Sequence, residues 1–207
     1  MSQEHYFSAD PSASSKTSEV FFRVGEKEFN LQAASGTFSS TKLDPGTKIL
    51  LQHNDLFPSS GDVLDLGCGW GPITMAIASS SPKVKVWSLD VNNRSLELTA
   101  KNAKRLKLEN VFPVKAEEIP IEQKFEEIWS NPPIRVGKAV LHELLITWIP
   151  RLVDGGAGMF VVAKQLGADS LQAWLKDQFP DHEIIRLSTD KGFRVIRVTS
   201  PAKPQSK

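Results

Sequence analysis

The chain has one cysteine, Cys68, in 207 residues, so no intramolecular disulfide can staple it and no cysteine-built zinc site can be completed. Its histidines, His5, His53, His142 and His182, fall at no metal-ligand spacing. No apolar run reaches the roughly 18 residues of a membrane-spanning helix, and the polar start Met1-Ser2-Gln3-Glu4-His5 has no signal-peptide core. Excess charge of one sign is missing as well. Twenty-five basic against 24 acidic residues leave a net charge of +1, which argues against a broad phosphate-binding surface but permits a local basic patch beside one pocket. There is no Gly-x-Ser-x-Gly elbow, no lysine-containing phosphate loop and no internal repeat. These absences lead to the expectation of a cytoplasmic globular protein with no metal and no membrane attachment, monomeric by default.

What is present suits one domain with a small N-terminal appendage; 40% hydrophobic residues are enough for a sizeable core. Residues 1–18, rich in Ser, Pro, Ala and Lys, read as a flexible leader. Glu19–Val24 and Lys27–Gln32 around Gly25-Glu26 predict a hairpin with a two-residue turn, and residues 19–43 form an N-terminal unit packed on the domain. Asp44-Pro45 opens a helix, with Asp at the N-cap and Pro at the first helical position. From there to residue 199 runs the main domain, and 200–207 is a frayed tail.

Beyond Asp62 strands alternate with helices, as in a mostly parallel sheet. Strands are predicted at Val63–Leu66, Val84–Leu89, Val111–Val114, Glu126–Ser130 and Met159–Ala163. Helices are predicted at Pro72–Ser79, Asn93–Leu106, Lys138–Leu152 and Ser170–Gln178, with Gly155-Gly156 as the stop after the third of these long ones. Glu183–Leu187 and Phe193–Val198, joined by a tight turn, close the chain as an antiparallel pair.

Two turns carry the chemistry. Asp65-Leu66-Gly67-Cys68-Gly69-Trp70-Gly71 closes one apolar strand, and its glycines permit unusual backbone angles and close approach to a ligand. A dinucleotide fingerprint requires its third glycine at position 72, where Pro72 stands. Asp90 ends the next strand, where an acid can accept hydrogen bonds from both ribose hydroxyls of a nucleoside or simply cap the following helix. Asn131-Pro132-Pro133-Ile134 closes another strand; two prolines fix φ and remove donors, leaving a stiff turn that presents acceptors. Such a turn suits an exocyclic or amide nitrogen, whose delocalised lone pair becomes nucleophilic when both its hydrogens are accepted by the Asn131 side chain and the Pro132 carbonyl. Phe38 and Thr47 lie near the start of the domain, and either closing over a ligand or ordinary packing accounts for them.

The glycine turn followed by Asp90 resembles the class I S-adenosylmethionine-dependent methyltransferases over Asp62 to Val198. That resemblance implies S-adenosyl-L-methionine as cofactor and a Rossmann-like, doubly wound α/β sheet of seven strands in the order 3-2-1-4-5-7-6, the last antiparallel, here with a small hairpin extension. It implies that Gly67 and Gly69 border the methionyl part, that Asp90 holds the ribose and that Glu117 lies beside the adenine. Asp65, Cys68, Gly71, Val91 and Asn131 complete the expected cofactor-binding set, Asp65 as a support or amino-group contact rather than a base. In the same superfamily Asn-Pro-Pro plus an aromatic marks enzymes that methylate adenine, guanine or glutamine nitrogens. Ile134 departs from this pattern and offers an apolar edge in place of a stacking ring. The run Asn131 to Lys138, with Gly36-Thr37-Phe38, Asp44-Pro45-Gly46-Thr47-Lys48 and His5-Tyr6-Phe7-Ser8, is similar to small single-domain relatives of the bacterial 16S ribosomal RNA guanine methyltransferases that act on the exocyclic amine. Larger members carry a second, degenerate domain on the N-terminal side, for which this chain has no room. The resemblance therefore implies an RNA substrate in ribosomal RNA or a ribosomal subunit. Asn131, Pro132, Pro133 and Ile134 would form its catalytic turn, with Arg135, Lys138 and Lys164 as candidate RNA contacts. Methylation of a protein glutamine, and a non-catalytic cofactor-binding module, are the alternatives.

Overall fold

Nine strands and five α-helices appear in the computed structural model, which describes residues 17–133 and 137–202. Ile134, Arg135, nearly all of the expected leader and most of the tail lie outside the described residues. Strand β1 (Thr17–Val24) pairs antiparallel with β2 (Lys27–Ala34) across Gly25-Glu26. The hairpin starts two residues earlier than the sequence suggests, because Thr17 and Ser18 still find partners in Ala34 and Ala33. Helix α1 (Pro45–Leu50) follows, its N-cap Asp44 accepting from the Thr47 amide, and runs into a 3-10 turn over Leu51–Leu56.

The remaining strands are β3 (Gly61–Leu66), β4 (Val84–Leu89), β5 (Val111–Val114), β6 (Phe125–Ser130), β7 (Leu152–Ala163), β8 (Glu183–Asp190) and β9 (Phe193–Thr199). They form one sheet in the order β5-β4-β3-β6-β7-β9-β8. The first five run parallel and β9 lies antiparallel between β7 and β8. This is the expected order. Successive side chains point to opposite faces, so Val63, Trp129 and Val161 enter one apolar cluster and Leu64, Ile128 and Val162 the other.

The helices divide between those faces. α2 (Pro72–Ser80) and α3 (Asn93–Arg105) share the first cluster with α1 and the hairpin, while α4 (Lys138–Trp148) and α5 (Ala168–Gln178) bury Leu141, Leu145, Leu171 and Leu175 in the second. α2 is buried on every side from Pro72 to Ala78, because sheet and hairpin residues enclose it in one cluster, and its one buried polar side chain there is Thr74. The predicted stop at Gly155-Gly156 is corrected. Helix α4 ends at Trp148, a 3-10 turn covers Ile149–Arg151, and both glycines lie inside β7. There the register with β6 shifts between Phe125 and Glu127, and a Cβ on Gly156 would meet the Glu126 carbonyl at 2.9 Å.

Buried Asn102, on α3, ties hairpin to sheet. Its Oδ1 accepts from the Gln32 amide at 2.8 Å, and its Nδ2 donates to the carbonyls of Gln32 and Trp70, each at 2.9 Å. Replacing Asn102 by Ala strands a buried carbonyl, so we expect a loss of about 1–3 kcal/mol. A fall in urea midpoint at constant m-value would register it; an unchanged midpoint would count against the tie.

Candidate active site

The carboxyl ends of β3 and β6 are neighbours, since Asp65 pairs with Trp129, and the glycine turn and the Asn131 turn emerge side by side. The amides of Gly67 and Cys68 both donate to the Leu89 carbonyl at 2.9 Å, and the Gly69 amide donates to Asp90 Oδ2 at 2.9 Å. The turn is thereby fastened to the end of β4. Gly67 and Gly69 adopt φ of +81° and +58°, and a Cβ on either would enter open space. Both therefore leave a bare backbone cradle facing the cleft. Gly71 has a different cause: a Cβ there would meet Thr99 Oγ1 at 2.9 Å, so its smallness serves the packing of α3 against the turn.

Asp65 sits beneath the cradle, fully buried. Its Oδ2 accepts from the Thr74 amide at 2.9 Å and the Thr74 hydroxyl at 2.6 Å, which locks the first turn of α2 to β3. Its Oδ1 has no hydrogen-bond partner among the described residues. Burial, against the two bonds from Thr74, pushes the carboxyl up to about 7. Burial likewise holds the Cys68 thiol well above its ordinary value, so this cysteine is a packed thiol and not a nucleophile.

Asp90 is half-buried. Its Oδ2 accepts the Gly69 amide and its Oδ1 the Asn92 amide, both at 2.9 Å, and the Val91 amide and the Ser95 hydroxyl also donate to this carboxylate. Burial raises its carboxyl despite these bonds. Capping of α3 falls to Asn92, whose Oδ1 accepts from the Arg94 amide. Val91, beside Asp90, is 55% exposed. Glu117 is exposed on a short 3-10 turn after β5.

Asn131 is held from the opposite side. Its Nδ2 donates to Asp44 Oδ2 at 2.7 Å and to Thr47 Oγ1 at 2.9 Å, and Thr47 is buried. Pro132 is buried and Pro133 half-buried. Phe38, 45% exposed, Thr47, Gly67, Gly69, Trp70 and Asn131 line a single cleft. The Trp70 indole donates to the Phe38 carbonyl at 3.0 Å and the Asn92 side chain donates to the Gly36 carbonyl at 2.9 Å, so the chain after the hairpin is tied to both edges of the cradle. Lys138 begins α4 and Lys164 follows β7; both are exposed, and the Lys164 amide donates to the Gly192 carbonyl.

The cradle, the paired acceptor at Asp90 and exposed Val91 fit a nucleoside with an attached polar tail. Sequence reasoning did not find the ties from Asp44 and Thr47 to Asn131, or those of Asn92 and Thr74. The available signals were a carboxylate placed before Pro45 and polar residues on the buried stripe of α3.

The Asp65 carboxyl also makes stability depend on pH. Its folded value, about 7, lies above the usual 3.8, so the folded state holds the proton more tightly. That contribution is complete below about pH 4 and is lost as pH rises through about 7. Asp65→Asn should therefore gain relative to the native chain between pH 4 and pH 8, by on the order of 4 kcal/mol. Urea midpoints of both proteins at the two pH values would measure it.

Comparison with known proteins agrees with this geometry. Residues 28–197 match the family model described as the methyltransferase small domain. Protein YbxB of Bacillus subtilis is 32% identical over 197 residues, which cover 94% of this chain and 97% of its own length. Ribosomal RNA small subunit methyltransferase C of Photorhabdus laumondii is 32% identical over 168 residues, 79% of this chain and 48% of that protein. Its counterpart in Aeromonas hydrophila is 30% identical over 132 residues, 64% of this chain and 38% of that protein. The chain thus spans half or less of the length of these ribosomal RNA methyltransferases. A solved structure of the T. thermophilus 16S rRNA N2 G1207 methyltransferase, in complex with AdoMet and guanosine, superposes with a TM-score of 0.76 at 24% identity, over 93% of this chain and 52% of that one, and shows a shared fold. The chain belongs to the methyltransferase small domain family: it is a class I S-adenosylmethionine-dependent methyltransferase related to the ribosomal RNA small subunit methyltransferases C.

Proposed function

We propose that the protein methylates the exocyclic amine of a guanine in ribosomal RNA, presented as free RNA or within a ribosomal subunit. The observation that carries this reading is the Asn131 carboxamide, whose amide hydrogens are engaged inside the protein while its turn borders the glycine cradle in one cleft. When bound, S-adenosylmethionine supplies a methyl group on a positively charged sulfur.

Gly67 and Gly69 present backbone to the methionyl part, and Asp90 accepts from the ribose hydroxyls. Val91 offers an apolar edge there, and Glu117 stands on the adenine side. Asp65, Cys68 and Gly71 act on the cofactor through the shape of the turn: Asp65 by holding Thr74, Cys68 and Gly71 by packing against Thr99. Asn131 Oδ1 and the Pro132 carbonyl accept the two amine hydrogens, which frees the nitrogen lone pair from the ring and favours its tetrahedral form. Pro133 stiffens the turn, and Ile134 would offer the acceptor an apolar edge. No strong base is required, because the nitrogen's proton becomes acidic once the nitrogen is alkylated and leaves to water. Arg135, Lys138 and Lys164 would meet phosphates flanking the target. Residues 19–43 serve in this reading as a clasp on a methyltransferase domain spanning 44–199.

Asn131→Ala is expected to lower turnover by about 10²–10³-fold with cofactor affinity nearly unchanged. Asp90→Ala is expected to weaken cofactor binding by about 10- to 100-fold, the value of hydrogen bonds to a charged acceptor. Calorimetric titration and single-turnover rates separate the two. The substrate is tested with methyl-labelled S-adenosylmethionine and undermethylated small subunits, naked ribosomal RNA and release factor. Asn131-dependent label recovered as a guanine methylated on its exocyclic amine supports the proposal. Label in the release factor instead moves the acceptor to a glutamine amide, and no label in any of them removes the RNA reading.

A further inference from the structure

We infer that Asp44 and Thr47 are positioning residues that decide which end of the Asn131 carboxamide faces the acceptor, and so select an amine over a carbonyl. The inference rests on the assignment of Asn131 to the acceptor site. An Asn side chain has two ends of nearly equal shape, a carbonyl that accepts and an NH2 that donates. A substrate amine offers hydrogens, so only the carbonyl end can serve it; a flipped amide would repel an amine and welcome a carbonyl or ring nitrogen.

The structure removes the choice. A carboxylate only accepts, so the atom 2.7 Å from Asp44 Oδ2 must be the NH2 group, and its second hydrogen goes to the Thr47 hydroxyl at 2.9 Å. Thr47 is 4% exposed, and the same Asp44 oxygen accepts the Thr47 amide at 3.1 Å, so the two anchors also hold each other. With both amide hydrogens spent, Oδ1 is the end left without a hydrogen bond to any described residue. A hydrogen bond to a charged acceptor also polarises the amide and makes that oxygen a stronger acceptor. Phe193 fixes the anchor in place: a Cβ on Gly46 would meet its ring at 3.0 Å, so α1 lies directly on the start of β9. The selector is thus built from α1, on the same face of the sheet as α2, and Thr47 shares the cleft with the glycine turn.

Asp44 also caps α1, and the test must separate capping from positioning. Ser is as good an N-cap as Asp but shorter and uncharged. Asp44→Ser is expected to keep the urea midpoint and cofactor affinity and to lose turnover by about 10- to 100-fold, since a small misplacement of a contact costs that much. Asp44→Asn, whose own carbonyl can accept from Asn131, should recover most of the loss, and Thr47→Ser should exceed Thr47→Val. Native turnover in Asp44→Ser would overturn the inference, and so would a loss matched by the fall in cofactor affinity. A second readout needs no substrate. The Asn131 amide protons, identified in the NMR spectrum by their loss in Asn131→Ala, should be protected from solvent exchange in the native chain and exposed in Asp44→Ser. Free exchange in the native chain overturns the inference. If the native enzyme labels no ribosomal RNA, the RNA reading fails while amide protection still decides the role of Asp44 and Thr47.

Discussion

The parallel pairing of β3 with β6 is the constraint on which the site depends. The chain runs outward from β3 through β4 to β5 and returns to place β6 on the other side of β3. At such a reversal the connections diverge above the strand ends and leave a crevice that neither covers. Alignment of Asp65 with Trp129 then fixes the height at which both turns emerge. A slip of one residue would invert every side chain of β6 and send Asn131 to the α4 side, away from α1.

Fastening that crevice costs buried polar groups, and their bonds account for much of its rigidity. The Leu89 carbonyl and Asp90 hold the glycine turn from β4, Asp65 holds the start of α2 through Thr74, and Asn102 joins the turn to the hairpin. Donors and acceptors left unmatched there would each cost about 1–3 kcal/mol, so the network tolerates few alternative arrangements. The same logic makes the site a composite. Its cradle belongs to the parallel sheet, whereas Phe38, Asp44 and Thr47 come from the segment between the hairpin and β3. A core that reaches from Val20 and Leu31 to Met159 holds the two parts together.

Alternation of apolar and turn residues made the sheet and its order readable, and most expected boundaries lie within a residue or two of those observed. The exception is instructive. Gly155-Gly156 reads as a helix stop because glycine ends helices often, yet here the pair absorbs a register shift within β7, where the Gly156 carbonyl accepts from the Ser200 amide. Whether a glycine pair breaks a helix or bends a strand depends on what lies alongside it, and that is a neighbour distant in the chain.

By itself the sequence determined the parallel α/β architecture, the glycine cradle with its acidic partner at Asp90, and the stiff acceptor turn at Asn131. Each is a local matter, decided by backbone freedom, proline rigidity and the spacing of apolar residues. Only the tertiary structure decided that Asp65 lies beneath the cradle, that Gly71 answers to Thr99, and that Asp44 and Thr47 fix the amide of Asn131. These are contacts between residues far apart in the chain. They exist only once the sheet has brought the strand ends to one edge and the segment after the hairpin has been tied to them.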